Sequence, residues 1–166
     1  MLLLLVGSLS ALAQNYQAPN ATLGVGVGTP WLVSVRGESW FADEAAFELG
    51  VGTLGSVDQQ IGFDWAIRWR PDFACFGCET RVLGTFGIGA GGIITSDIAL
   101  DGGKAFDDPW GWAVGPDLAG TFTYWMSPTL GLMLTGRGGV GAAWSGTDLD
   151  VLEVGYWAFL TGGLAF

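Results

Sequence analysis

Ten charged side chains stand inside stretches that are otherwise apolar. They are Arg36, Arg68, Arg70, Arg81 and Arg137, set against Glu38, Glu48, Asp64, Asp117 and Glu153. Equal numbers of guanidinium and carboxylate groups suit a buried ion-pair network, because an ionised group withdrawn from water is tolerated only beside an opposite charge. They do not suit a catalytic centre. The chain contains no His, so a Ser or Asp nucleophile would lack its usual base. Neither an enzymatic activity nor a cofactor is expected.

The remaining motifs that could carry chemistry are weak. Cys75 and Cys78 form Cys-Phe-Gly-Cys inside Pro71–Glu79, a turn-like stretch. A disulfide fits so short a loop sterically and would add little entropic stabilisation. Zinc wants about four ligands, so no metal is expected at two thiols without His. A redox dithiol of the thioredoxin type would open a helix in an α/β fold. A structural disulfide in a turn is the expectation, with free thiols the alternative. Gly87, Gly89 and Gly92 spell G-x-G-x-x-G, but a dinucleotide site needs a helix to follow, and Ile93–Asp97 reads as strand end and loop. Asn20-Ala21-Thr22 is a glycosylation sequon by letters alone. The acidic stretch Asp97–Asp108 lacks the spacing of a calcium loop and reads as solvated.

The elements that must position the charges follow from composition. The 166 residues allow one domain. Mean hydropathy is +0.44, half the residues are hydrophobic and 13% are charged, against about 25% in ordinary soluble domains. So apolar a chain must bury something, which excludes disorder. Yet no run approaches the roughly 20 apolar residues of a spanning helix. The net charge of −10 argues against nucleic acid as a partner, since phosphate binding needs a basic face.

From Thr22 onward the apolar residues recur with period two, the signature of strands. The segments are Thr22–Gly28, Trp31–Phe41, Ala45–Leu54, Gln60–Arg70, Thr80–Ile93, Trp112–Trp125, Leu130–Trp144 and Leu152–Phe166. The fourth is the clearest: Ile61, Phe63, Trp65, Ile67 and Trp69 alternate with Gly62, Asp64, Ala66 and Arg68. In the second, Trp31, Val33, Val35 and Phe41 form the apolar face. Trp40, Leu83, Trp157 and Phe159 fall on the charged face by parity, and Pro116 predicts a bulge or a later strand start.

Period two fits either a soluble barrel with an apolar interior or a membrane barrel with an apolar exterior. Aromatic residues near strand ends suit interfacial girdles. Balanced charge suits a narrow lumen, and the small residues between the charges make room for arginine, since eight strands enclose just enough space for side chains. An Arg turned to lipid would cost roughly 2–4 kcal/mol at mid-bilayer. The arginines together would exceed the stability of about 5–15 kcal/mol that a typical domain has. The predicted fold is therefore all-β: an eight-stranded antiparallel up-and-down transmembrane β-barrel.

Connection lengths agree. Ala42–Glu44, Pro71–Glu79 and Met126–Thr129 are short, as periplasmic turns are. The longest connection, Thr95–Gly111, falls on the opposite side. That side also collects Asp58, Asp97, Asp101, Asp107, Asp108, Asp148 and Asp150, with Lys104 their one base.

Residues 1–13, MLLLLVGSLSALA, pair an apolar run with a small-x-small site at Ala11–Ala13, the pattern of a secretory signal peptide. Residues 14–21 form a polar lead and 22–166 the barrel. Signal peptide, alternating strands and terminal Phe166 resemble the small eight-stranded outer-membrane barrels of the OmpA/OmpX-like class, over Thr22–Phe166. The resemblance implies an ion-paired lumen, and that the barrel-assembly machinery reads Phe166 with Leu164 and Tyr156 on the same face. In place of the glycine expected five residues before the terminal aromatic stands Thr161, with Gly162 beside it. The expectation is an outer-membrane protein surrounded by outer-membrane lipids, non-enzymatic, with a structural or surface-interaction role and a plugged lumen. A narrow channel or small-ligand carrier, in which Arg36, Arg68 and Arg137 form a selectivity ladder, and a soluble periplasmic lipocalin-like barrel are the alternatives.

Overall fold

The computed structural model describes residues 19–53, 61–71, 75–77, 81–96, 110–145 and 153–166. The expected signal peptide, most of the polar lead, the acidic loop residues and Cys78 lie outside the described residues, as does the side chain of Glu153. The expected Cys75–Cys78 disulfide therefore falls outside them too.

The strands are β1 (Ala21–Thr29), β2 (Val33–Ala42), β3 (Ala45–Thr53), β4 (Ile61–Trp69), β5 (Cys75–Phe76), β6 (Val82–Ser96), β7 (Trp110–Ser127), β8 (Leu130–Ser145) and β9 (Glu153–Ala165). All neighbours are antiparallel, in the order β4-β3-β2-β1-β9-β8-β7-β6, and β4 also pairs with β6. The sheet thus closes on itself as an eight-stranded barrel. First and last strands meet along Thr22↔Ala165 to Thr29↔Ala158. Beyond that ladder, Asn20 N donates to Phe166 O at 2.7 Å and Phe166 N to Ala21 O at 2.9 Å. Closure places each of the other eight strands between two neighbours, while β5 pairs with β6 alone among the described residues; so few free edges let a sheet be apolar outside without templating aggregation.

The element that alternation missed is β5. It lies in the expected Pro71–Glu79 turn and continues the lane of β4. Trp69 pairs with Ile88, and Cys75 and Phe76 then pair with Thr85 and Gly84. The extra residues between Trp69 and Cys75 break the alternation, so the pattern there reads as a loop. Gly77 closes the stretch with φ 76°, a conformation that side chains with a Cβ disfavour.

Pro116 produces neither expected irregularity. It lies within β7, paired with Ala90 of β6, and the β7–β8 register is the same at Val114↔Ala142 and Asp117↔Gly139. The proline removes a donor on the β8 side without displacing the strand. Here the two backbones approach closely, and a Cβ on Gly115 would stand 2.5 Å from the Gly141 Cα.

The alternation resolves into two faces. Leu23, Val25, Val35, Leu49, Phe63, Ile67, Leu118, Phe122, Leu134 and Leu160 are about half exposed on the outer wall, and Val154 reaches 79%. The inner face stacks three layers. Leu83, Trp125, Met133 and Ala165 pack together at the end bearing the short turns. Trp31, Ile93, Trp157 and Phe159 pack at the opposite, loop end. Between them lie the charges.

Candidate functional site

The middle layer brings together seven of the ten charged residues singled out above. Arg36, Glu38, Glu48, Asp64, Arg68, Asp117 and Arg137 are all buried, Asp64 completely. β-strand register explains how they meet. Arg36 of β2 stands opposite Gly50 of β3, which stands opposite Asp64 of β4. With no side chain between them, Arg36 spans two strands and grips Asp64 with both ends, Nη1 to Oδ1 at 2.7 Å and Nη2 to Oδ2 at 2.8 Å. The paired geometry is the strong form of a guanidinium–carboxylate contact. The same relation recurs further round the wall: Arg68 stands opposite Gly89, and Gly89 opposite Asp117. Arg68 Nε lies 3.3 Å from Asp117 Oδ1.

Glu38 and Glu48 are direct cross-strand partners, a like-charge pair that would be destabilising alone. Arg68 bridges them, its Nη1 2.7 Å from Glu38 Oε2 and its Nη2 on Glu48. Glu48 is the point where all three arginines converge, since its Oε1 also accepts from Arg36 Nη1 at 2.9 Å and from Arg137 Nη1 at 3.1 Å. Arg137 further donates from Nε to Asp117 Oδ2 at 2.7 Å, from Nη1 to Asp64 Oδ1 at 2.7 Å and from Nη2 to the Trp65 carbonyl at 2.6 Å. A Cβ on Gly91 would stand 2.6 Å from Arg137 Nη2, so that glycine makes room for the guanidinium.

The other three expected members sit elsewhere. Arg70 is half-buried at the turn end, its guanidinium 4.0 Å over the Trp40 ring and its Nη2 donating to the Asp43 carbonyl at 2.9 Å. Arg81 is exposed and precedes β6. The side chain of Glu153 lies outside the described residues. The expected parity of charge is thus replaced, among the described residues of this layer, by three guanidinium groups against four carboxylates. Position along the strand explains the difference: Arg70 and Arg81 have the inward parity but lie at strand ends, where side chains reach water.

Polar and aromatic neighbours that charge pairing alone did not identify complete the site. Ser34 Oγ accepts from Arg36 Nε at 2.9 Å, Trp40 Nε1 donates to Glu38 Oε1 at 3.0 Å, and Trp157 Nε1 donates to Asp117 Oδ2 at 2.8 Å. The Phe159 ring lies 3.4 Å from the Arg36 guanidinium carbon, a cation–π contact. Their signal in the sequence is the inward parity of Trp40, Trp157 and Phe159 on a charged face.

Trp31 corrects the expectation that it shares the apolar face with Val33 and Val35. It is completely buried, whereas Leu32 and Val33 are exposed. β2 begins only at Val33, so strand parity does not govern Trp31. Its indole folds over the loop-end mouth against Gly52 and Gly62, where any Cβ would collide with it. Below it, two lumenal cavities flank the network, one by Thr135 and Thr161, the other by Arg70 and Thr121; each holds about 10 Å³, the size of roughly one water.

The orientation excludes the arrangement of a lipocalin-like barrel. Arg68 and Asp64 point to the axis, while Phe63, Ile67 and Trp69 are exposed on the outer wall. The G-x-G-x-x-G glycines lie within β6. Leu164, Tyr156 and Phe166 are all exposed, on the outer face of the last strand and its end.

No family model matches the chain, and no curated protein matches it. Among solved structures it is similar to the solution NMR structure of a de novo designed protein, TMB2.3. Identity is 15% over 92% of this chain and 97% of that one, with a TM-score of 0.42.

Proposed function

We infer that the protein is an integral outer-membrane β-barrel, exported through the periplasm, non-enzymatic, with a structural or surface-interaction role and a lumen closed to solute. The observation that carries this reading is the inversion of polarity: an apolar wall, uncharged among the described residues, surrounds a layer of interlocked arginines and carboxylates. In water the wall would leave a contiguous apolar surface far beyond the few hundred Å² that soluble monomers expose. Against acyl chains it is the favoured surface, and the charges occupy the place where lipid cannot reach them. The three-layered interior supports a plug over a selectivity ladder, because each guanidinium in it is committed to carboxylates. Phe166, Leu164 and Tyr156 are exposed on the outer wall, which supports their recognition by the barrel-assembly machinery.

The test is fractionation of the full chain followed by planar-bilayer recording. Sedimentation with outer membranes, release only by detergent and heat-modifiable mobility on a gel are expected, with no stable large conductance. Extraction into buffer without detergent would overturn the membrane reading. Ion-selective conductance that changes on Arg68→Ala would overturn the plug and favour the narrow channel.

A further inference from the structure

The outer wall has a notch. Gly92 lies in β6 between Trp65 of β4 and Val114 of β7, on the outward side by its alternation with Ile94. A cavity of about 230 Å³ opens there, lined by Trp65, Ile93, Ile94, Trp112, Ala113 and Val114. None of these residues is charged. The absence of a side chain at Gly92 is imposed: a Cβ there would stand 2.6 Å from the Ala113 carbonyl oxygen and 2.8 Å from Trp65 Nε1. Trp65 is correspondingly half-buried where its wall neighbours Phe63 and Ile67 are exposed. On the other side Trp112 is steadied by stacking on Trp144, ring centroids 4.3 Å apart. Two fixed indoles thus border a slot whose floor is backbone.

We propose that this slot binds one acyl chain of a lipid from the leaflet at the loop end. The proposal rests on the membrane reading above. Gly92 lies four residues from the loop end of β6 at Ser96, so the slot opens in the strand-built wall and not among the loops. At about 230 Å³ with an uncharged lining, the slot is below the roughly 300 Å³ at which drug-sized pockets begin and suits part of a hydrocarbon chain. It is continuous with the wall that lipid covers, so a chain can enter sideways without leaving the bilayer.

The full chain in vesicles of phosphatidylcholine carrying bromine on its acyl chains tests this by tryptophan quenching. The Trp65 signal is the difference between wild type and Trp65→Phe; the Trp69 signal, from a wall tryptophan away from the slot, comes likewise from Trp69→Phe. Trp65 is expected to reach half-quenching at a several-fold lower fraction of brominated lipid than Trp69. Val114→Phe, which fills the slot from outside, should abolish that difference. Equal quenching of Trp65 and Trp69 in the wild-type background overturns the slot and leaves the membrane reading standing; quenching of neither overturns both. Should Trp65→Phe fail to fold, native mass spectrometry of wild type and Val114→Phe decides: one retained lipid lost in the variant supports the slot, and equal retention overturns it.

Discussion

Arg36 and Asp64 belong to strands that do not pair with each other, yet they form a bidentate ion pair at 2.7 and 2.8 Å. They meet across Gly50, which stands in register between them. The contact is therefore written jointly by a register and by a missing side chain. Arg36→Leu or Asp64→Leu alone leaves a buried charge short of its partner and is expected to cost about 3–5 kcal/mol. The double replacement should cost clearly less than the sum of the two, since neither charge is then stranded. Urea unfolding of the four proteins in lipid vesicles measures the difference.

Gly50 should be intolerant in proportion to side-chain size. A Cβ there would stand 2.8 Å from the Asp64 carboxyl carbon, so Gly50→Val must displace the pair. Overpacking of this kind costs about 1–3 kcal/mol, and loss of the Arg36–Asp64 alignment adds to it. Gly136 is the control: a Cβ added there meets nothing within 4 Å. Gly136→Ala should leave unfolding unchanged within about 0.5 kcal/mol.

Trp31 should matter through its volume and not through its indole nitrogen. Trp31→Ala opens a void against Gly52 and Gly62 and is expected to cost about 3–5 kcal/mol. Its Nε1 has no hydrogen-bond partner among the described residues, so Trp31→Phe loses no such bond and should retain most of the stability. Thermal unfolding in detergent separates the two variants.

Phe166 is exposed on the outer wall while its backbone closes the barrel against Ala21. Phe166→Ala keeps those backbone bonds and removes the aromatic face. The expected outcome is near-native stability of the purified barrel together with a several-fold drop in the amount reaching the outer membrane in cells. Loss of stability without loss of delivery would mean that the ring serves packing alone.

Alternation showed the strands and their two faces, because a side-chain period of two has one geometric meaning in a strand. In β4 it told Asp64 and Arg68 from Phe63 and Ile67 without reference to any neighbour, and the unfavourable energy of arginine in lipid said which face turned inward. Local pattern held as far as each strand ran regularly. It failed at Trp31, two residues before β2, and at Cys75 and Phe76, where extra residues in one lane break the count. Partnership was decided by the tertiary structure. Nothing in the chain order joins Arg36 to Asp64 or gathers three arginines on Glu48; that depends on register across several strands and on which glycines lie between them. Arg70 and Arg81 show the same limit from the other side, since parity is a property of the chain whereas depth along the axis belongs to the closed barrel.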